Sequence, residues 1–149
     1  MRRLSMIVLS VLTFAARAAA QENNPCQVAL QTVTDPKAIY AASDEWGDPT
    51  KITNVKLRVV ISGNPEPVME ANLPPTLFVS TGFMGCARAA WTPDDRLLRD
   101  GKTVYQVLLA FENSARMVSP WSNPAPFVLS APVVLPPRAP IVRLGRTEE

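Results

Sequence analysis

Two short acidic groups contain the side chains best suited to acid–base or metal chemistry. The first is Asp44-Glu45-Trp46-Gly47-Asp48, and the second is Asp94-Asp95. Two carboxylates that converge across loops can serve as general acid and general base in a small hydrolase. Carboxylates gathered in one loop are also ligands for Ca²⁺, although the spacing here is not that of an EF-hand. Turn-forming residues surround both groups, so we interpret them mainly as solvated turns and keep the first as a possible ligand loop.

Trp46 lies between those carboxylates and has two possible roles. An indole ring can stack on a sugar or on a protein partner, which makes a glycan ligand possible. It can also cover apolar surface at the edge of a core, which is the commoner use of an amphipathic aromatic residue. The sequence favours the second role and leaves the first open.

The chain contains no histidine. Histidine is the most frequent general base and a frequent metal ligand, so its absence excludes a Ser-His-Asp or Cys-His nucleophile and a histidine-dependent zinc site. The sequence also has no glycine-rich phosphate loop. We therefore expect a protein that is not an enzyme and that needs no cofactor and no metal.

The two cysteines, Cys26 and Cys86, are 60 positions apart. Their even number in an exported chain predicts one disulfide, because neither the close spacing of a redox CxxC pair nor a histidine partner is present.

The ends of the chain differ in composition from its middle. Residues 1–20 begin with Met1-Arg2-Arg3, continue with an apolar run from Leu4 to Ala16, and end in alanines, which predicts a cleaved signal peptide. That run is shorter than the roughly 20 residues that span a bilayer, so we expect no membrane span after cleavage. Residues 21–130 are predicted to form one domain. Residues 131–149 are rich in proline and are predicted to be a largely disordered tail.

Charge excludes one class of partner. Loss of Arg2, Arg3 and Arg17 with the signal peptide leaves 12 of the 15 basic residues against 13 acidic ones, a net charge of −1. A nearly neutral chain lacks the positive field that phosphate backbones require, so no nucleic acid partner is expected.

The middle of the chain has the period-two pattern of strands. Alternation is clearest over 51–62, where Val55, Leu57, Val59 and Ile61 are predicted to face inward, and over 103–111, where Tyr105 begins the apolar face. Further strands are predicted over 26–34, 68–70, 76–80 and 86–91, the last placing Trp91 in the core. The prolines of 118–127 predict an edge strand containing Trp121, and 35–50 is interpreted as a loop. This pattern predicts an all-β sandwich.

The C-terminal third resembles a fibronectin type III domain. The resemblance lies in Leu98-Arg99-Asp100-Gly101-Lys102-Thr103-Val104-Tyr105 and in Ser119-Pro120-Trp121-Ser122-Asn123-Pro124, which covers about a quarter of the chain. It implies that Tyr105 is a tyrosine-corner residue, with its ring in the core and its hydroxyl bonded to backbone. Residues 118–122 also resemble the W-S-x-W-S box of cytokine-receptor modules, with Val118 in place of the first tryptophan. More generally, the resemblance implies an immunoglobulin-like β-sandwich.

Together these observations predict a secreted or periplasmic, non-catalytic module that binds a protein partner at the cell envelope or cell surface. Loops at one end of the sandwich, an exposed strand edge or the proline-rich tail are the candidate binding elements. A carbohydrate-binding module and a carboxylate-dependent hydrolase are the alternatives.

Overall fold

A computed structural model describes residues 24–27 and 31–145 of the chain. The predicted signal peptide, residues 28–30 of the predicted first strand and the last four residues of the tail lie outside these ranges. Among the described residues, no helix is long and apolar enough to cross a membrane.

The described chain is almost entirely strands and loops, with a single 3-10 turn at Pro75–Leu77. The strands are β1 Val33–Thr34, β2 Ala38–Ala42, β3 Asn54–Ile61, β4 Pro67–Leu73, β5 Val79–Ser80, β6 Cys86–Ala90, β7 Tyr105–Glu112 and β8 Ala125–Val128. They form a five-stranded sheet in the order β1-β8-β7-β3-β4 and a three-stranded sheet in the order β2-β6-β5. The predicted all-β, two-sheet architecture is confirmed.

The two longest strands, β3 and β7, pair antiparallel at the centre of the larger sheet, with Leu57 opposite Leu109. The inward positions predicted for β3 are buried at Val55, Leu57 and Val59, whereas Ile61 at the strand end is only partly buried. A register shift between Val59 and Val60 interrupts the pairing with β4. Strict alternation therefore ends there, and Val60 is buried as well.

One apolar core lies between the sheets and includes side chains from both. Ile39 comes from the smaller sheet, and Leu57, Tyr105 and Phe127 come from the larger one. Trp91, which directly follows β6, meets Phe127 edge to face with ring centroids 5.7 Å apart, and Phe127 stacks on Tyr105 at 5.5 Å. These three aromatic rings join the end of the smaller sheet to the larger one.

Several segments differ from the sequence prediction. Of the described residues in the strand predicted over 26–34, only Val33–Thr34 form a strand, and Cys26 lies in a turn. The strand predicted over 76–80 is reduced to β5, because its first residues belong to the 3-10 turn. Residues 38–42, interpreted as part of a loop, form β2, because Ile39 and Ala41 face the core while Tyr40 faces outward. Residues 118–127 were predicted to form an edge strand, and only the first part of this segment lies at an edge of the larger sheet. Its last residues enter β8, which pairs with β7 on one side and with β1 on the other. β1 pairs with β8 only from Phe127 onward, after the last proline of the segment. No proline, which lacks a backbone N–H, therefore has to donate a hydrogen bond to β1.

The disulfide joins Cys26 to Cys86, with Cα atoms 5.9 Å apart. It attaches the segment before β1 to the first residue of β6. Cys86 is 2% exposed, so its side of this cross-link is covered from solvent.

The turn that leads into β7 depends on one carboxylate. Asp100 accepts hydrogen bonds from the backbone N–H groups of Thr103 and Lys102 and from the Thr103 hydroxyl, and these bonds lower the pKa of Asp100 to about 2. Gly101 beside it has a φ of 68°, a conformation that glycine adopts without strain.

We expect Asp100→Ala to lower the thermal midpoint at neutral pH. Because the folded-state pKa lies below the ~3.9 of an unfolded aspartate, the carboxylate stabilises the fold above that pH and loses its effect as the pH falls to about 2. The difference in midpoint between wild type and Asp100→Ala should therefore shrink over that interval in thermal denaturation. Asp95→Ala, at a side chain that is fully exposed, is the matched control. A difference that is constant with pH would contradict the assignment.

Candidate functional site

An open groove of about 630 Å³ crosses the outer face of the three-stranded sheet. Its floor is a row of cross-strand neighbours, because Arg88 of β6 is opposite Tyr40 of β2 on one side and Val79 of β5 on the other. The remaining lining residues are mostly apolar: Pro25, Leu77, Ser80, Thr81, Phe83 and Ala90. Tyr40, Leu77 and Val79 are exposed, so an apolar surface is presented to solvent.

Alternation along β6 accounts for the groove. Ala87 and Ala89 face the core and are buried, so Cys86, Arg88 and Ala90 must face outward. Because Cys86 is on that outer side, its disulfide holds the N-terminal segment against the same face, and Pro25 lines the groove. The cross-link therefore shapes the groove as well as stabilising the chain.

The charges around the groove are unevenly placed. Arg88 is exposed on the floor, and its guanidinium forms no ion pair with any of the described residues. The loop after β2 lies at the end of the groove marked by Cys86, since the Ser43 N–H donates to the Gly85 carbonyl over 2.8 Å. That loop exposes the carboxylates of Asp44 and Glu45. The groove thus has a cation on its floor, and the loop beyond its Cys86 end, outside the lining residues, carries two exposed carboxylates.

The possible ligand loop of the sequence analysis divides into two parts. The Trp46 ring stacks on Phe78 at 4.9 Å, meets Phe111 at 5.1 Å, and donates its indole N–H to the Ala41 carbonyl. This tryptophan is occupied in packing against the core. Asp48 caps the following turn by accepting from the backbone N–H and hydroxyl of Thr50, which lowers its pKa.

The second acidic group is not brought to the first. β2 and β6 are antiparallel, with Ala42 opposite Cys86 and Ala38 opposite Ala90. The loop after β2 and the loop after β6 therefore leave opposite ends of this ladder, so Asp44, Glu45 and Asp48 do not converge with Asp94 and Asp95. The carboxylate pair needed by the hydrolase alternative is not assembled.

Asp94 is also unsuited to act as a general acid near neutral pH. Its carboxylate accepts from the Arg96 side chain at 2.8 and 3.0 Å and from the Arg96 backbone N–H. These contacts lower the pKa of Asp94 to about 2. Within the described ranges, no group of three or more histidine, cysteine, aspartate or glutamate side chains is placed to hold a metal ion.

The residues of the resemblance lie in or against the larger sheet. The Tyr105 ring is 3% exposed, and its hydroxyl accepts a hydrogen bond from the Leu98 N–H over 2.9 Å. The hydroxyls of Ser119 and Ser122 accept from the N–H groups of Phe111 and Leu109, so the S-P-W-S segment lies along β7 as an irregular strand.

Trp121 has a structural partner on the outer face of the larger sheet. The Arg58 guanidinium lies 4.3 Å from the centre of its ring and also pairs with Glu70 at 2.8 Å. This chain of aromatic ring, cation and carboxylate links the S-P-W-S segment to β3 and β4. Trp121 is therefore occupied by contacts within the protein, as Trp46 is.

The floor of the groove was missed by sequence reasoning. Tyr40 precedes Val79 by 39 positions, and Val79 precedes Arg88 by 9. The three residues meet only through strand pairing. The available signal was the alternation of Ile39 and Ala41 around Tyr40, which marks an outward aromatic residue on a short strand. Its alanines made that alternation weak.

Comparison with known proteins gave no match: no family model, no curated protein and no solved structure is similar to this chain.

Proposed function

We propose that the protein is an exported, non-catalytic β-sandwich that binds a protein partner at the cell envelope or in the extracellular space. The observation that carries the proposal is the groove on the smaller sheet, where exposed apolar side chains surround an arginine that has no ion pair among the described residues. Exposed apolar surface rimmed by charge is typical of a protein interaction site.

Sheet order supports an immunoglobulin-like type of sandwich. In the lettering used for those domains, β2, β6 and β5 correspond to strands B, E and D, and β8, β7, β3 and β4 correspond to G, F, C and C′. The contact of Tyr105 with Leu98 is of the kind made by a tyrosine corner, a hallmark of immunoglobulin-like sandwiches, and the sequence resemblance is what favours the fibronectin type III variant. The disulfide departs from the usual pattern of antibody domains, because it joins the N-terminal segment to strand E rather than strand B to strand F.

The disulfide also supports an oxidising compartment, since such bonds persist in secreted and periplasmic proteins. The predicted signal peptide indicates the same destination.

The chemistry of the groove defines the partner segment. Apolar side chains of an extended segment would cover Tyr40 and Val79, and oxygen acceptors on that segment would bind the Arg88 guanidinium. Positive charge at the end near Asp44 and Glu45 would complete the match. The groove therefore fits an extended, mainly apolar peptide that has free carbonyl groups and a basic end.

We expect Val79→Asp to weaken capture of the partner at least about tenfold, because the new carboxylate lies opposite Arg88, pairs with its guanidinium in place of the partner's oxygen acceptors, and replaces apolar contact surface with charge. The mature chain is used as bait for the native envelope or secreted fraction under non-reducing conditions, and captured proteins are identified by mass spectrometry. Val68→Asp is the matched control, since Val68 is an exposed valine on a strand of the other sheet. A partner retained equally by both variants would exclude the groove.

A further inference from the structure

The segment after the sandwich is the largest exposed apolar element of the described chain. Residues 131–145 form no helix or strand, and six of their large apolar side chains are each at least 77% exposed. These are Val133, Val134, Leu135, Ile141, Val142 and Leu144. A segment with this much exposed apolar surface is suited to docking on another surface.

Proline spacing favours an extended conformation of the segment. Pro132, Pro136, Pro137 and Pro140 favour a polyproline II conformation, which has three residues per turn and no internal hydrogen bonds. Residues three apart then share a ridge. One ridge consists of Val133, Pro136, Ala139 and Val142 and is wholly apolar. The ridges on either side of it include Arg138 and Arg143, so an apolar strip is flanked by two cations.

We infer that this segment binds the groove of a second copy of the protein. The inference rests on the proposed function, because it names the partner segment of the same groove. The apolar ridge matches Tyr40 and Val79, since proline-rich segments dock on aromatic and apolar floors. The carbonyls that polyproline II leaves unpaired match the donors of Arg88.

Charge placement fixes the direction of the contact. Asp44 and Glu45 are exposed at the Cys86 end of the groove, and neither forms an ion pair with another described residue. Arg138 and Arg143 likewise form no ion pair among the described residues. Opposite charges at the two surfaces favour the segment lying with its arginines towards that end.

The segment leaves the domain where it can reach a neighbour. Ser130 is anchored by its N–H and its hydroxyl to the Asp35 carboxylate, and residues 131–145 are exposed. Twelve residues in polyproline II span about 37 Å, longer than the roughly 17 Å of a five-residue strand. Because the groove and the segment are different surfaces, the contact is heterologous, and repeated contacts produce a reciprocal dimer, a closed ring or an open chain of molecules.

The experiment is sedimentation velocity of the mature full-length chain over a range of concentrations. We expect wild type to form larger species as concentration rises. Val79→Asp, which damages the groove, and the double variant Arg138→Glu/Arg143→Glu, which damages the segment, should each stay monomeric. The Val68→Asp control should behave as wild type.

A mixture of the two defective variants gives the decisive result. One variant keeps an intact segment and the other an intact groove, so an equimolar mixture should form one contact and stop at a 1:1 dimer. That dimer also shows that both variants are folded. Wild type that stays monomeric while Val79→Asp abolishes capture of a different protein would overturn this inference and leave the proposed function intact. Self-association that neither variant reduces would overturn it as well.

Discussion

Phe127→Ala is expected to reduce the free energy of unfolding by about 3–5 kcal/mol, the range for removing a buried phenylalanine ring. Phe127 is 2% exposed and contacts Tyr105 by stacking and Trp91 edge to face. Because Trp91 directly follows β6 and Tyr105 begins β7, the vacated space would separate elements of both sheets. Chemical denaturation followed by tryptophan fluorescence measures the loss.

Two further variants serve as controls for the Phe127→Ala measurement. Phe127→Leu retains most of the apolar volume and should cost clearly less than Phe127→Ala. Val133→Ala, at a side chain 84% exposed, should change stability by no more than about 0.5 kcal/mol. A loss below about 1 kcal/mol for Phe127→Ala would contradict the placement of this ring at the centre of the core.

Removal of the disulfide has the second large expected effect. The bond closes a loop with a sequence separation of 60, for which the chain-entropy relation gives about 4 kcal/mol. We expect the double variant Cys26→Ser/Cys86→Ser to lose about that much stability in urea denaturation. Wild type measured in reductant should match the double variant measured without it.

The same bond should also affect binding, because it holds Pro25 at the side of the groove. Under conditions where the reduced protein is still folded, capture of the partner should be weaker than for the oxidised protein. Equal stability with and without reductant would show that the bond does not form in solution.

The sequence predicted the long central strands because their alternation is strong. β3 and β7 each contain eight residues, and apolar side chains recur at every second position. β2 could not be predicted as readily, since three of its five residues are alanines and it begins two positions after Pro36. Short strands of small residues depend on their neighbours for stability, and local sequence does not encode those neighbours.

The candidate site was harder to predict than the fold. The sequence drew attention to Trp46 and the carboxylates around it, but the Trp46 ring packs on Phe78 and Phe111. The groove depends on which strands pair and in which register, and these are long-range properties. Tyr105 was placed through its resemblance to a tyrosine corner, a local pattern with its own contact geometry.

Site-specific photo-crosslinking shows directly whether the groove on the smaller sheet binds a protein. A photoreactive amino acid replaces Tyr40 on the floor of the groove, or Val68 on the other sheet, and each mature chain is irradiated in the native envelope or secreted fraction without reductant. We predict a discrete adduct from position 40, with a second copy of the chain or with another protein, and no adduct from position 68. Adducts only from position 68, or equal adducts from both positions, would contradict the assignment of the groove as the binding site.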